Sequence, residues 1–141
     1  MLGENCLLRV IILFYLTHII NFYSLLGAID QGTKLVVSGG FDVTLAHLNI
    51  TFVTDSTEIL DLVSLEWTEG PKLPQALGYG SSVPFGDSFL AVGGDDGFAQ
   101  SDVIYEFNSA SNSWIERSEK IKTVGLYKTA FLVPNDIVNC S

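Results

Sequence analysis

From residue 29 onwards, the chain consists of short apolar runs separated by clusters of turn residues. The runs Lys34–Ser38 and 88–92 each end in two adjacent glycines. Apolar runs that stop at paired glycines are typical of buried strands entering tight turns. Further short runs follow, divided by proline and asparagine, at 57–61, 66–68, 102–107 and 113–115. We find no amphipathic helix in this region, so the pattern predicts an all-β protein.

The same features recur in the same order, which indicates an internal repeat. The glycine pairs are 54 residues apart, whereas Trp67 and Trp114 are 47 residues apart. The difference of seven residues falls in 42–54, where the first copy has the longer turn. A third correspondence places Tyr79 and Tyr127 48 residues apart. A period near 50 residues, with about four strands in each unit, predicts the blades of a β-propeller.

In these residues the chain resembles the kelch family. The residues that carry the resemblance are Gly39, Gly40 and Trp67 in the first copy and Gly93, Gly94, Tyr105 and Trp114 in the second. The resemblance covers about residues 34–133, with Leu60 where the first tyrosine would be expected. It implies an incomplete β-propeller of about two four-stranded antiparallel blades, at 34–74 and 78–118, with the start of a third at 124–141. We expect the first blade to lack its opening strand.

Structural roles account for the repeated residues. Paired glycines allow a positive φ and a close approach of backbone to backbone. A tryptophan on an outer strand can bury about 150–250 Å² between two sheets. We therefore expect these residues to hold blades together and not to bind ligand.

The first 28 residues form a separate, strongly apolar segment, expected to be helical. Arg9 precedes the apolar stretch, which closes on Gly27 and Ala28. This layout predicts a secretory signal peptide at 1–28, cleaved after Ala28, and an extracellular, secreted product. His18 and Asn21 interrupt the stretch. The alternatives are an uncleaved membrane anchor, since roughly 20 residues span a bilayer, and a buried core helix.

Other features agree with export. Asn49 and Asn139 each begin a glycosylation triplet, and Asn49 is the better site because Asn139 lies next to the terminus. Removal of the leader would leave Cys140 as a single thiol, either free or paired with another chain. Membrane association is expected only if the leader is uncleaved.

Charge and composition argue against several function classes. The chain has 7 basic and 16 acidic residues, a net charge of −9, so nucleic acid is not expected as a partner. His47 is the only histidine after the leader, and we interpret it as an exposed loop residue. Asp95 and Asp96 could contribute oxygen ligands to calcium, but a solvated turn is the better interpretation. We expect no catalytic residues, no metal and no cofactor.

Binding is expected in the loops, because the strands of a propeller carry its stability. The long turn 42–54 is the first candidate and the turn 95–101 is the second. The candidate binding residues are Phe41, Asp42, His47, Asp95 and Asp96, and the first turn also contains Leu48 and Phe52. The expected ligand is a protein or a glycan. Self-association is also possible, through exposed blade faces or Cys140.

Three functions are compatible with this pattern. The first is a secreted or secretory-pathway binding module, and the second is a non-catalytic piece of a propeller enzyme such as a glycan oxidase. The third, an intracellular ubiquitin-ligase substrate adaptor, is disfavoured by the leader. Propellers have about four to eight blades, so two do not close a ring. We favour a fragment of a larger propeller over an oligomer that shares blades or a chain that is poorly stable alone.

Overall fold

The computed structural model describes residues 25–29, 32–42, 52–125 and 130 of the chain, and this part is all-β. It contains two four-stranded sheets and one two-stranded sheet, and all strand pairs are antiparallel. The strands are β1 (Leu25–Ile29), β2 (Lys34–Ser38), β3 (Phe41–Asp42), β4 (Phe52–Val53), β5 (Thr57–Asp61), β6 (Trp67–Glu69), β7 (Ser81–Phe85), β8 (Ser88–Asp95), β9 (Gln100–Asn108) and β10 (Ser113–Glu116).

The two large sheets have the same meander topology. Sheet 1 has the order β1-β2-β5-β6, and sheet 2 has the order β7-β8-β9-β10. In sheet 2 the β8–β9 hairpin continues past the paired glycines through an irregularity between Val92 and Gly94. In sheet 1 the corresponding extension is the separate hairpin β3–β4. The predicted all-β class and the two antiparallel sheets are confirmed.

The extra length of the first copy lies where the sequence placed it. Phe41 pairs with Val53, twelve positions later, whereas Asp95 pairs with Gln100, five positions later. The difference of seven equals the mismatch between the glycine and tryptophan spacings. The seven extra residues therefore fall between the paired positions Phe41 and Val53, and the strands on either side keep their register.

Equivalent turns reproduce the repeat in local chemistry. The Oδ1 of Asp61 accepts hydrogen bonds from the N–H groups of Val63 and Ser64, and the Oδ1 of Asn108 accepts one from the N–H of Ser111. Each turn also contains a residue with positive φ, 62° at Leu65 and 47° at Asn112. Aspartate and asparagine favour such turns because their side chains bond to the backbone two or three residues on.

The edge of sheet 1 differs from the expected structure. The opening strand that we expected to be missing is present, since β1 pairs with β2 from Leu25↔Ser38 to Ile29↔Lys34. Because the segment is continuously apolar, its periodicity cannot distinguish a signal peptide from a buried strand. The sequence therefore gave no indication of β1. The rest of the predicted N-terminal hydrophobic helix, 1–24, lies outside the described residues, and the signal peptide stays a prediction.

The register also corrects one assignment within the repeat. Leu60 pairs with Trp67 just as Phe107 pairs with Trp114. Leu60 is therefore the equivalent of Phe107. Tyr105 lies two residues before Phe107, so its equivalent in the first copy is Glu58 and not Leu60.

The two large sheets pack face to face. Val36 and Ile59 of sheet 1 meet Phe89, Phe107 and Trp114 of sheet 2 in one apolar cluster. Phe89 and Phe107 are stacked with centroids 5.7 Å apart, and the Trp114 ring lies edge-on to both, at 5.5 and 5.1 Å. Such geometries are favourable because the positive ring edge meets the negative ring face.

Trp114 also forms hydrogen bonds across the interface. Its indole N–H lies 3.2 Å from the Oγ1 of Thr57 and 3.0 Å from the carbonyl oxygen of Pro71, both in the first repeat. A second cluster lies beside it and contains Leu73, Leu77, Ala91 and Tyr105, all buried. Trp114 thus lies between the sheets.

Candidate ligand-binding end of the sheets

The paired glycines lie at one end of both sheets, which we call the glycine end. It comprises the two glycine pairs, the β3–β4 hairpin, the β8–β9 turn and residues 75–79. All four glycines have positive φ: 62° at Gly39, 108° at Gly40, 60° at Gly93 and 122° at Gly94. Side-chain-bearing residues rarely adopt these angles, so this backbone shape depends on glycine. The tight turn predicted at the glycine pairs is wrong for the second pair, because β8 continues through Gly93 and Gly94 as an irregular strand as far as Asp95.

Close backbone packing is a second constraint that requires glycine at position 94. A Cβ on Gly94 would lie 2.5 Å from the carbonyl oxygen of Gly78 and 3.2 Å from the nitrogen of Gly80. The neighbouring Asp95 exchanges two backbone hydrogen bonds with Gly78, of 2.8 and 2.9 Å. The segment after sheet 1 is thereby fixed to the end of sheet 2.

Phe41, one of the predicted binding residues, is partly buried in the fold. Its ring lies 4.3 Å from that of Tyr79, centroid to centroid, at an angle of 44°. A Cβ on Gly78 would collide with the same ring. Phe41 therefore supports the glycine end from within.

Asp95 and Asp96 shape the β8–β9 turn. The Oδ1 of Asp95 accepts a hydrogen bond from the N–H of Gly97, at 2.8 Å. The Oδ1 of Asp96 accepts from the N–H groups of Phe98 and Ala99, at 2.9 and 2.8 Å, and its Oδ2 accepts from the Nε2 of Gln75 at 3.0 Å. Hydrogen bonds that stabilise the ionised carboxylate lower the pKa of Asp96, and those from the backbone N–H groups of Ala99 and Phe98 have the largest effect.

Hydrogen bonds from the turn backbone and from Gln75 satisfy the carboxylates of Asp95 and Asp96. In the described ranges, no group of three or more histidine, cysteine, aspartate or glutamate side chains is placed to hold a metal ion. The carboxylates instead fix the position of the turn tip.

Two exposed phenylalanines are the most unusual feature of the glycine end. Phe98, at the tip of the β8–β9 turn, is 100% exposed, and Phe52, in β4, is 57% exposed. The two hairpins lie side by side, since a Cβ on Gly97 would be 3.2 Å from the Cγ2 of Val53. Large apolar groups exposed together on a surface mark interaction sites more often than single exposed residues do. Neighbouring hairpins therefore present two aromatic rings to solvent.

Phe52 and Phe98 lie in the two turns predicted to bind, 42–54 and 95–101, but Phe98 was not singled out there. The available signal was an aromatic residue directly after Asp95-Asp96-Gly97, where turn chemistry favours polar residues. Of the other candidates, Asp42 pairs through its backbone with Phe52. His47, Asn49, Asn139 and Cys140 lie outside the described residues.

The predicted structural residues lie within or beside the sheets. Tyr105 is 2% exposed and belongs to the cluster with Leu73 and Leu77. Trp67 is half-buried on β6. Of the predicted third blade, Val124, Gly125 and Ala130 are described, and the N–H of Ala130 donates to the Oγ of Ser81 at 2.8 Å. A membrane-crossing helix, with the necessary length and apolar character, does not occur in the segments that the structure describes.

Comparison with known proteins gives one informative similarity. No protein-family profile matches the chain. A segment of 52 residues is 44% identical to N-acetylneuraminate epimerase 1 of Escherichia coli O6:H1. The match covers 36% of this chain and 14% of that protein, so the chain corresponds to a small part of its relative. The all-β architecture and this similarity are consistent with a kelch-type propeller.

Proposed function

We propose that the chain supplies two neighbouring blades of a kelch-type β-propeller and binds a glycan at the glycine end. The observation that carries this proposal is the pair of exposed rings, Phe52 and Phe98, on adjacent hairpins. The 47-residue equivalence of strands, turns and tryptophans supports the blade assignment. The relative's name supports a sugar over a protein as the first ligand to test.

The physical basis is the amphipathic surface of a sugar ring. Its C–H face can cover an exposed aromatic ring, while its hydroxyls need hydrogen-bond partners or water. The turn that carries Phe98 does not have to become ordered when a ligand binds, because hydrogen bonds from its backbone to Asp96 already hold it. Because the backbone of the turn is already ordered, ligand binding there costs less conformational entropy than binding on a mobile loop would.

The test is a binding titration with the purified chain. The probes are oligosaccharides ending in N-acetylneuraminate and the same oligosaccharides without that sugar. We expect Phe98→Ala to weaken binding about tenfold, equivalent to ~1.4 kcal/mol. The fold should be unaffected, because Phe98 is fully exposed. Val63→Ala, at a residue 82% exposed on the β5–β6 turn at the opposite end, is the matched control.

The outcomes separate the glycan from other ligands. Loss of binding in Phe98→Ala but not in Val63→Ala supports the site. A folded wild-type chain that binds none of the oligosaccharides, or equal losses in both variants, overturns it. Equal affinity for both sets of oligosaccharides would retain a glycan site and exclude N-acetylneuraminate as the recognised group.

We further propose that the module works in the secretory pathway or outside the cell. The apolar segment before β1 and the triplet at Asn49 support this location. Expression in eukaryotic cells should place the chain in the medium, with an electrophoretic mobility that changes after glycosidase treatment. Asn49→Gln should abolish most of that change. Retention of unglycosylated chain in the cytosol would contradict the proposal.

A second candidate function is favoured by the comparison alone. The chain would then supply blades to a larger propeller enzyme acting on N-acetylneuraminate or a related sugar, with reacting groups outside the described residues. NMR detection of anomer interconversion above the buffer rate would support it. Glycan binding without any such turnover would favour the binding module.

A further inference from the structure

The β8–β9 turn contains a dipeptide whose chemistry permits a spontaneous covalent change. Asp96 is followed by Gly97, and no other aspartate or asparagine in the sequence is followed by glycine. In such a dipeptide the glycine nitrogen can attack the carboxyl carbon of the aspartate side chain, because glycine has no Cβ to hinder the approach. Asp42 has the same position after the first glycine pair, but the branched side chain of Val43 follows it. The reactive dipeptide is therefore particular to the second hairpin.

The reaction of this dipeptide passes through a cyclic succinimide. A bond forms between the nitrogen of Gly97 and the Cγ of Asp96, while the amide proton and the hydroxyl of the protonated carboxyl group leave as water. Another water molecule then adds to either ring carbonyl and breaks its bond to nitrogen. Addition at Cγ restores aspartate, whereas addition at the backbone carbonyl carbon gives isoaspartate. In isoaspartate the main chain runs through the Cβ and Cγ of residue 96, so it is longer by a carbon atom.

In the folded chain the carboxylate of Asp96 is fixed at both oxygen atoms. Its Oδ1 accepts hydrogen bonds from the N–H groups of Phe98 and Ala99, and its Oδ2 accepts one from the Nε2 of Gln75. Ring formation removes one of these oxygens and leaves the other on an uncharged carbonyl, which is a weaker acceptor. The same bonds, that from Ala99 foremost, lower the pKa of Asp96, so the protonated form that the reaction needs is scarce at neutral pH.

The backbone around the dipeptide is fixed as well. The N–H of Gly97 donates to the Oδ1 of Asp95 at 2.8 Å, and the N–H of Asp96 donates to the carbonyl oxygen of Ala99 at 3.1 Å. These bonds hold the chain on both sides of the Cα of Asp96, where rotation must occur to bring the attacking nitrogen to Cγ. Gly97 and Phe98 are exposed, so water for opening the ring reaches the turn. The closed turn therefore opposes ring formation, whereas an opened turn leaves the dipeptide free to react.

We propose that Asp96–Gly97 is a site of aspartate isomerisation that the closed β8–β9 turn suppresses, and that isoaspartate at position 96 releases Phe98. The turn lies between the paired residues Asp95 and Gln100, and loop length selects the geometry of a hairpin. An additional main-chain atom in this loop is incompatible with its present hydrogen bonds. The carboxylate of isoaspartate is also attached directly to Cα, so it no longer presents its oxygens where the turn N–H groups now find them. Phe98 then lies on a mobile loop, whatever it binds.

The first experiment measures isoaspartate formation in the purified chain during incubation at neutral pH. Peptide mapping with electron-transfer fragmentation locates the product at residue 96, and the same chain unfolded in guanidinium chloride gives the rate without the turn. We expect the folded chain to react at least about tenfold more slowly, because hydrogen bonds to a charged group must break before the ring forms. In the unfolded chain Asp42 should react far more slowly than Asp96, because valine follows it.

Gln75→Ala tests the hydrogen bond to the Oδ2 of Asp96 directly. Its loss should raise the isomerisation rate in the folded chain about fivefold and should leave the rate in guanidinium chloride unchanged. Lys72→Ala is the matched control, because Lys72 lies on the same segment but pairs with Asp55 instead. This control should isomerise at the wild-type rate in both states.

Amide hydrogen exchange tests the release of Phe98. In the isoaspartate form, separated by chromatography, the N–H groups of Phe98 and Ala99 should exchange faster than in the aspartate form, while the sheets exchange equally. Equal isomerisation rates in the folded and unfolded chains, or an unchanged rate in folded Gln75→Ala, would overturn the suppression. Protection of Phe98 that survives isoaspartate formation would overturn the release. None of these measurements uses an oligosaccharide, so isomerisation and glycan binding succeed or fail separately.

Discussion

Trp114→Ala tests the packing of the two sheets directly. The substitution removes an indole that contacts Phe89 and Phe107 and donates across the interface to Thr57 and Pro71. Truncating a core tryptophan costs about 3–5 kcal/mol. Trp114 is only partly buried, which places the expected loss near the lower limit, at about 3 kcal/mol.

A second substitution separates the ring from its hydrogen bonds. Trp114→Phe keeps an aromatic group but removes the indole N–H, leaving the Oγ1 of the buried Thr57 without that donor. We expect a loss of about 1 kcal/mol, because a net hydrogen bond contributes roughly 0.5–1.5 kcal/mol. The difference between the two variants, about 2 kcal/mol, then measures apolar contact across the interface.

Urea unfolding followed by circular dichroism measures these losses, with Trp67→Ala as the matched control. Trp67 has the same position in the repeat but lies on the face turned away from sheet 2. Under monomeric conditions its truncation should cost about 1 kcal/mol, typical of a substitution outside a packed core. Equal losses for Trp67→Ala and Trp114→Ala would refute the assignment of Trp114 to the interface between the sheets.

Three further changes probe the backbone and the charges. Gly94→Val should lower the free energy of unfolding in urea by several kcal/mol, because of the positive φ and the collision with the Gly78 carbonyl. Gly86 also has positive φ but no atom near its Cβ, so Gly86→Val should cost about 1–2 kcal/mol. Equal losses in the two variants would exclude the collision. Glu58 has a raised pKa, so its contribution to stability is present below its ordinary value of 4.5 and is lost as pH rises through the folded value. Glu58→Gln should therefore melt higher than the wild type at neutral pH and no higher in acid; the same difference at both would contradict the shift. Asp61 has a lowered pKa, chiefly because two backbone N–H groups bond to its carboxylate, so it stabilises the fold above its ordinary value of 3.8 and this contribution is lost as pH falls through the folded value. Asp61→Asn should fold, as Asn108 does in the equivalent turn, and should lose less stability on acidification; an unchanged acid profile would show that this turn does not contribute.

The sequence predicts those parts of the fold that depend on local chemistry. Gly93 and Gly94 are needed because strand β8 passes through them with positive φ, which the sequence indicates by the glycines themselves. Trp114 is large enough to require a facing sheet, and the structure places Thr57 and Pro71 there. The spacing between these markers was sufficient to locate the seven-residue insertion.

Long-range features could not be predicted in the same way. The contact between Phe41 and Tyr79 depends on how a segment after sheet 1 folds back, which no local pattern indicates. The full exposure of Phe98 depends on two backbone hydrogen bonds to Asp96. The position of Arg117 over Phe85 depends on the register of a whole sheet. Each follows from tertiary packing, which overrides residue preference.

The pairing of β1 has a consequence for proteolytic processing. A peptidase cut after Ala28 would remove four of the five residues of this strand, Leu25 to Ala28. The backbone groups of β2 that now bond to those residues would then be unpaired along one margin of the sheet. An unpaired margin of this kind is a template for an incoming strand from another polypeptide. Maturation of the chain would thus create an acceptor site for β-strand addition.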